Sequence, residues 1–93
     1  MLLSKWPKNI HLTLSQRNRI LSSLQILQRD MCIDYETQTA LIKSHSQKGD
    51  IPEFYNVSLE KCNCYDFTHR ELPCKHIYAL CFALERYVPD NMT

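Results

Sequence analysis

Cys62-Asn63-Cys64-Tyr65-Asp66-Phe67-Thr68-His69-Arg70-Glu71-Leu72-Pro73-Cys74-Lys75-His76 decides how the rest of this 93-residue chain is read. Its ends are two ligand pairs, C-x-C and C-x-H, with nine residues between them. Zn²⁺ takes thiolate sulfur and imidazole nitrogen in tetrahedral geometry, and a closed shell of four such donors is structural rather than catalytic. The stretch therefore reads as a site for one Zn²⁺ per chain, with Cys62, Cys64, Cys74 and His76 as ligands. Chance clustering and disulfide bonding are the competing readings. Adjacent C-x-C residues bridge only with strain, and five cysteines leave one over in any pairing. Zinc is favoured, and Cys32 and Cys81 then stand outside the cluster.

Working outward, the chain is expected to be α+β: an N-terminal helix, a β-hairpin and a C-terminal helix, pinned together by the metal. Phe54 to Leu59 alternates, with Tyr55, Val57 and Leu59 on one face and Asn56 and Ser58 on the other, as in a half-buried strand. Before it, Thr37 to His45 is rich in β-branched and apolar residues and reads as the partner strand. Ser46 to Asp50 holds the single glycine and marks the turn between them. After the metal loop, Leu72-Pro73 opens a helix in which Ile77, Leu80, Cys81, Leu84 and Val88 form an apolar stripe ending near Pro89. Cys74 and His76 fall in its first turn. Phe67 is the expected apolar plug between metal loop and core.

Residues 1–36 read as a helical arm, with 37–93 as the zinc-bearing domain. Trp6 is the one large anchor of the lead-in, and Thr13-Leu14-Ser15-Gln16 has capping-box form. Ile20, Leu21, Leu24, Leu27 and Met31 follow at spacings of three and four, predicting about four helical turns with this stripe docked on the metal-bound domain. Gln16, Arg19, Ser22, Ser23 and Arg29 are expected on the solvent side. Cys32 is expected as a small buried hydrophobe, and His11, His45 and His69 as surface residues.

Composition narrows the class. An apolar fraction of 44% suits a globular chain. The N-terminal stretch shows no apolar region of export-signal length, and the longest apolar run, Ile77 to Leu84, is far too short to span a membrane. The expectation is an intracellular protein, cytoplasmic or nuclear and not secreted, where clustered cysteines serve as ligands more often than as bridges. Net charge is +1, unevenly spread: residues 1–30 carry Lys5, Lys8, Arg17, Arg19 and Arg29 against Asp30 alone.

The string C-N-C, a nine-residue loop and C-K-H, with Pro73 before the third ligand and two strands ahead of it, resembles the SWIM-type zinc finger over roughly residues 37–88. Members of that family occur in Mutator-like transposases, bacterial helicase-type ATPases, ubiquitin-ligase-linked kinases and recombination-mediator proteins. The resemblance implies zinc binding by Cys62, Cys64, Cys74 and His76, and a role in binding DNA or protein. The leading expectation is a module that binds DNA or assists a DNA-processing protein, with Lys61, Arg70, Lys75, Arg17 and Arg19 as candidate phosphate contacts. A protein–protein adaptor anchored by the exposed part of the N-terminal helix, or by Tyr65 and Tyr78, is the alternative. No small-molecule substrate or membrane is implied. An enzyme is the remote reading: His69-Arg70-Glu71 and Pro73-Cys74 match pieces of zinc deaminases, but there those pieces lie on separate helices. Thiolates in a closed shell also leave no site for a water.

Overall fold

In the computed structural model, residues 2–44 and 52–86 are described. They form α1 (Leu14–Ser23), β1 (Met31–Asp34), β2 (Thr39–Lys43), β3 (Phe54–Ser58), α2 (Tyr65–Arg70) and α3 (Lys75–Arg86), with short 3-10 turns at Lys8–Leu12 and Gln28–Asp30. The expected turn at 46–50, His45, Val88 and Pro89 lie outside the described residues.

The sheet has three antiparallel strands in the order β1-β2-β3, one more than the predicted hairpin. Cys32 pairs with Leu41 and Ile33 with Ala40, while Ala40 pairs with Val57 and Ile42 with Tyr55. The β1–β2 turn is held by the Asp34 carboxylate, whose Oδ1 accepts the N–H groups of Glu36 (3.0 Å) and Thr37 (3.2 Å). It closes through Gln38 at φ 58°, a left-handed position that side chains enter at some cost. A boundary after residue 36 falls inside this β1–β2 hairpin.

Helix α3 packs on β2 and β3 on one side and on α1 on the other. Being covered twice, it is buried through Ile77, Tyr78, Ala79, Leu80, Cys81 and Ala83, a wider face than the single predicted stripe. Leu3, Ala40, Ile42, Val57, Phe67 and the cysteines Cys62, Cys64 and Cys74 complete the core, with His76 buried beside them.

The N-terminal helix departs most from expectation. It spans ten residues, not four turns, and Met31, expected to end its stripe, opens β1 instead. Thr13 caps it as predicted, its hydroxyl accepting the Gln16 N–H at 3.3 Å. Of the predicted stripe only Ile20 and Met31 pack against the core; Gln16 and Ser23 are buried instead of the rest, whereas Leu21, Leu24 and Leu27 stand exposed. Periodicity gives the spacing of a stripe but not its direction, and here specific hydrogen bonds from Gln16 and Arg19 fix the orientation. Cys32 is exposed on β1 rather than buried, since alternation on this strand turns Met31 and Ile33 toward the core.

Candidate metal centre

Cys62, Cys64, Cys74 and His76 are delivered from three directions. After β3 the chain reverses at once, with the Ser58 hydroxyl accepting the N–H groups of Glu60 (3.2 Å) and Lys61 (3.1 Å). The returning strand bridges back to Val57 at Cys62. Asn63 points the other way and its Oδ1 accepts the Asn56 N–H at 2.8 Å, so the two flanking cysteines share one side. Cys64 then stands at the start of α2, a short helix where the spacing alone predicts a loop. On the far side, Pro73 leads into Cys74 immediately before α3, and His76 lies in its first turn.

All four side chains are buried, and their donor atoms lie within 4.8 Å of one another. The His76 Nδ1 is 3.8 Å from the Cys62 Sγ and 3.7 Å from the Cys74 Sγ. A tetrahedron with Zn–S of about 2.3 Å and Zn–N of about 2.0–2.1 Å has S···N edges of roughly 3.6 Å and S···S edges of roughly 3.8 Å. The tetrad therefore has the dimensions of a closed S₃N zinc shell, and it fits one Zn²⁺ per chain.

Electrostatics points the same way. Thiol neighbours Cys62 and Cys74 hold Cys64 far below the ordinary thiol range by hydrogen bonding to its thiolate. The same contacts act in reverse on their donors: Cys64 pushes Cys62 up to about 12, and Cys62 and Cys64 push Cys74 far above the normal thiol value. Three sulfurs this close cannot all ionise alone, and a dication among them is what permits three thiolates. The His76 ring is packed by Tyr55, with centroids 4.7 Å apart.

Around the tetrad runs a second layer that ties the arm to it. The Arg19 guanidinium grips Asp66, two residues after Cys64, through Nε to Oδ2 and Nη2 to Oδ1, both 2.7 Å. This pairing holds the Asp66 carboxyl below the usual carboxylate range, with burial opposing. Arg70 approaches the same carboxylate at 3.6 Å and donates to the Gln16 Oε1 at 2.8 Å. Gln16 in turn donates through Nε2 to the Pro73 carbonyl (2.9 Å) and to the Tyr78 hydroxyl (3.1 Å). With its hydroxyl oxygen accepting there, Tyr78 gives its proton to the His11 Nδ1 at 2.6 Å. His11 is thus a half-buried structural partner rather than a surface residue, and burial lowers its pKa. Tyr78, considered as an exposed anchor, is wholly buried. Trp6 closes the layer, its Nε1–H donating to the Glu71 carbonyl at 3.0 Å while its ring meets Phe67 edge-on.

The five candidate phosphate contacts are scattered. Arg19 and Lys75 line an open groove of about 1460 Å³ beside the metal centre, between α1 and the ends of β2 and β3. Arg70 is absorbed in the Asp66 and Gln16 contacts, Lys61 lies against the outer sheet face beside Asn56 and Ser58, and Arg17 is exposed on α1. The groove adds Arg29 and Lys43, which sequence reasoning did not single out because only the folded topology brings them together. Its aromatic lining is Phe54, Tyr55 and Tyr65. His69 stacks on Tyr65 at 3.7 Å, exposed and outside the tetrad. Cys81 is buried in the core and also outside it. Among the described residues no helix is long and apolar enough to cross a membrane.

Neither a curated protein nor a solved structure matches the chain. The family model described as SWIM zinc finger matches residues 51–85, a span that holds β3, α2, nearly all of α3 and all four donors. With a C-x-C…C-x-H tetrad of zinc dimensions inside that span, residues 51–85 of this chain are a SWIM zinc finger.

Proposed function

We propose that this zinc-stabilised module binds DNA, in the service of a DNA-processing protein, and that the strand lies in the groove beside the metal centre. The observation that supports this is the lining of that groove. Arg29, Lys43 and Lys75 line it without an ion pair to any described residue, and of its two carboxylates, Asp30 and Asp66, the one beside the metal centre, Asp66, is paired with Arg19. Phe54 and Tyr65 are exposed beside them. Cations that follow a backbone next to aromatic faces that stack bases are what a single strand needs, since every base has a π-face. Zinc acts here as a staple, and with its four positions filled by protein it offers none to a substrate; the protein is read as a non-enzyme.

The test is a salt titration of affinity for a labelled single strand and for its duplex. Three neutralised phosphates give a slope of log K against log salt of about −2 for a single strand, at about −0.7 per phosphate. Lys75→Glu and Lys43→Glu should each weaken binding and flatten that slope. Absence of binding to either form at low salt rejects the proposal.

A further inference from the structure

Helix α1 is inverted relative to an ordinary surface helix. Its inner face is Gln16, Arg19, Ile20 and Ser23, while Leu14, Leu21 and Leu24 are 74%, 63% and 64% exposed. At 3.6 residues per turn these three leucines and Arg17 fall within an arc of about 80°, on the side away from Gln16 and Ser23. Single exposed leucines are ordinary, but a contiguous stripe of them on one helix marks a contact surface. The fold does not leave this face outward by default, because the Gln16 bonds to Pro73 and Tyr78 and the Arg19 bonds to Asp66 hold it there.

We infer that the leucine face of α1 is the docking surface for an amphipathic helix of a protein partner whose apolar stripe is flanked by acidic residues. Charge selects this occupant. Residues 1–29 contain no Asp or Glu, and Arg17 stands in the middle of the leucine stripe. A second copy docking antiparallel about a two-fold axis would bring Arg17 against Arg17 at the centre, a like-charge contact in a closing interface. A lipid surface is less suited. Interfacial helices carry a strongly cationic polar face to reach anionic headgroups, and the polar face of α1 is spent on α3 and α2. A helix packed against this stripe would bury leucines at its centre and give Arg17 a carboxylate that no described residue offers it, with anchors at helical spacing on both sides.

The probe is a synthetic helical peptide with a leucine stripe flanked by glutamates, paired with a twin carrying lysines in their place. Both are titrated by fluorescence anisotropy against the zinc-loaded full chain. The glutamate peptide should bind at least tenfold more tightly than its twin. Leu21→Gln should weaken it at least tenfold while zinc content and circular dichroism stay unchanged, with Leu14→Gln as the second variant should the first misfold. Arg17→Glu should invert the preference between the twins. No binding of the glutamate peptide, or equal binding of both, overturns the inference. So does a dimer in sedimentation velocity that Leu21→Gln dissolves, which would assign the face to a second copy. Leu21-dependent binding to phosphatidylserine vesicles without peptide binding would assign it to lipid, and also overturns it.

Discussion

Removing the metal should unfold the arm as well as the finger. The contacts of α1 end on the segment between the two ligand pairs. Gln16 holds the Pro73 carbonyl next to Cys74, and Arg19 holds Asp66 two residues past Cys64. Structural zinc contributes apparent binding energies of about 10–16 kcal/mol. A domain of this length is stable by about 5–14 kcal/mol at about 0.05–0.15 kcal/mol per residue. Loss of the metal therefore removes an amount comparable with the whole margin. Once its docking sites are gone, α1 has ten residues, short of the about 12–15 at which an isolated helix becomes marginal in water. Trp6 supplies the readout: it is the chain's single tryptophan, it sits in the arm, and its neighbours Phe67, in α2, and Glu71, just after it, lie between the ligand pairs. On stepwise addition of a strong chelator, helical ellipticity and Trp6 emission should change together, the emission shifting red. Cys64→Ser should reproduce this, while Cys81→Ser, in the core but outside the tetrad, should keep full zinc content. Emission that stays blue while ellipticity falls, or an unchanged melt in chelator, would refute the argument.

Two further outcomes follow from the layer around the tetrad. Gln16→Leu keeps the volume but removes two neutral hydrogen bonds and one from Arg70; at about 0.5–1.5 and 1.5–3 kcal/mol respectively, partly offset by apolar burial, the loss should be about 2–4 kcal/mol in denaturant titration of the zinc-loaded protein. His11 has a folded pKa below its ordinary 6.5 because burial disfavours its charge. As pH falls through that value the unfolded chain takes up the proton first, so the contribution of His11 is present above pH 6.5 and lost below it. An NMR titration of the His11 ring should show a midpoint below 6.5, and one above that value would contradict the hydrogen bond from Tyr78.

The metal centre was legible because its chemistry is local: two ligand pairs and a short loop carry the geometry whatever surrounds them. The alternation of Phe54 to Ser58 and the start of α3 after Pro73 were legible for the same reason. What escaped was non-local. Met31 to Asp34 continues the apolar spacing of the preceding helix, and only pairing with β2 makes it a strand. Tyr65 to Arg70 carries no stripe long enough to announce a helix, and it forms one turn and a half, ending at Glu71 with φ 55°. Gln16 and Arg19 looked like solvent-facing residues because polar side chains usually are, and nothing in their spacing reveals that a carbonyl and a carboxylate some fifty residues later await them. The two cations the groove adds were invisible for a related reason: Arg29 and Lys43 come from separate segments that only the fold brings beside Lys75.

The Arg19 clamp on Asp66 has a consequence for affinity. An ion that must gather four donors ordinarily bears the entropy of closing the ring between them. Here the middle of that ring is already braced from outside, by a residue that lies more than forty positions upstream and donates nothing to the cation. Part of the grip on zinc thus belongs to the arm, and a finger cut free at the family boundary would be a looser chelator than the same four ligands in the whole chain.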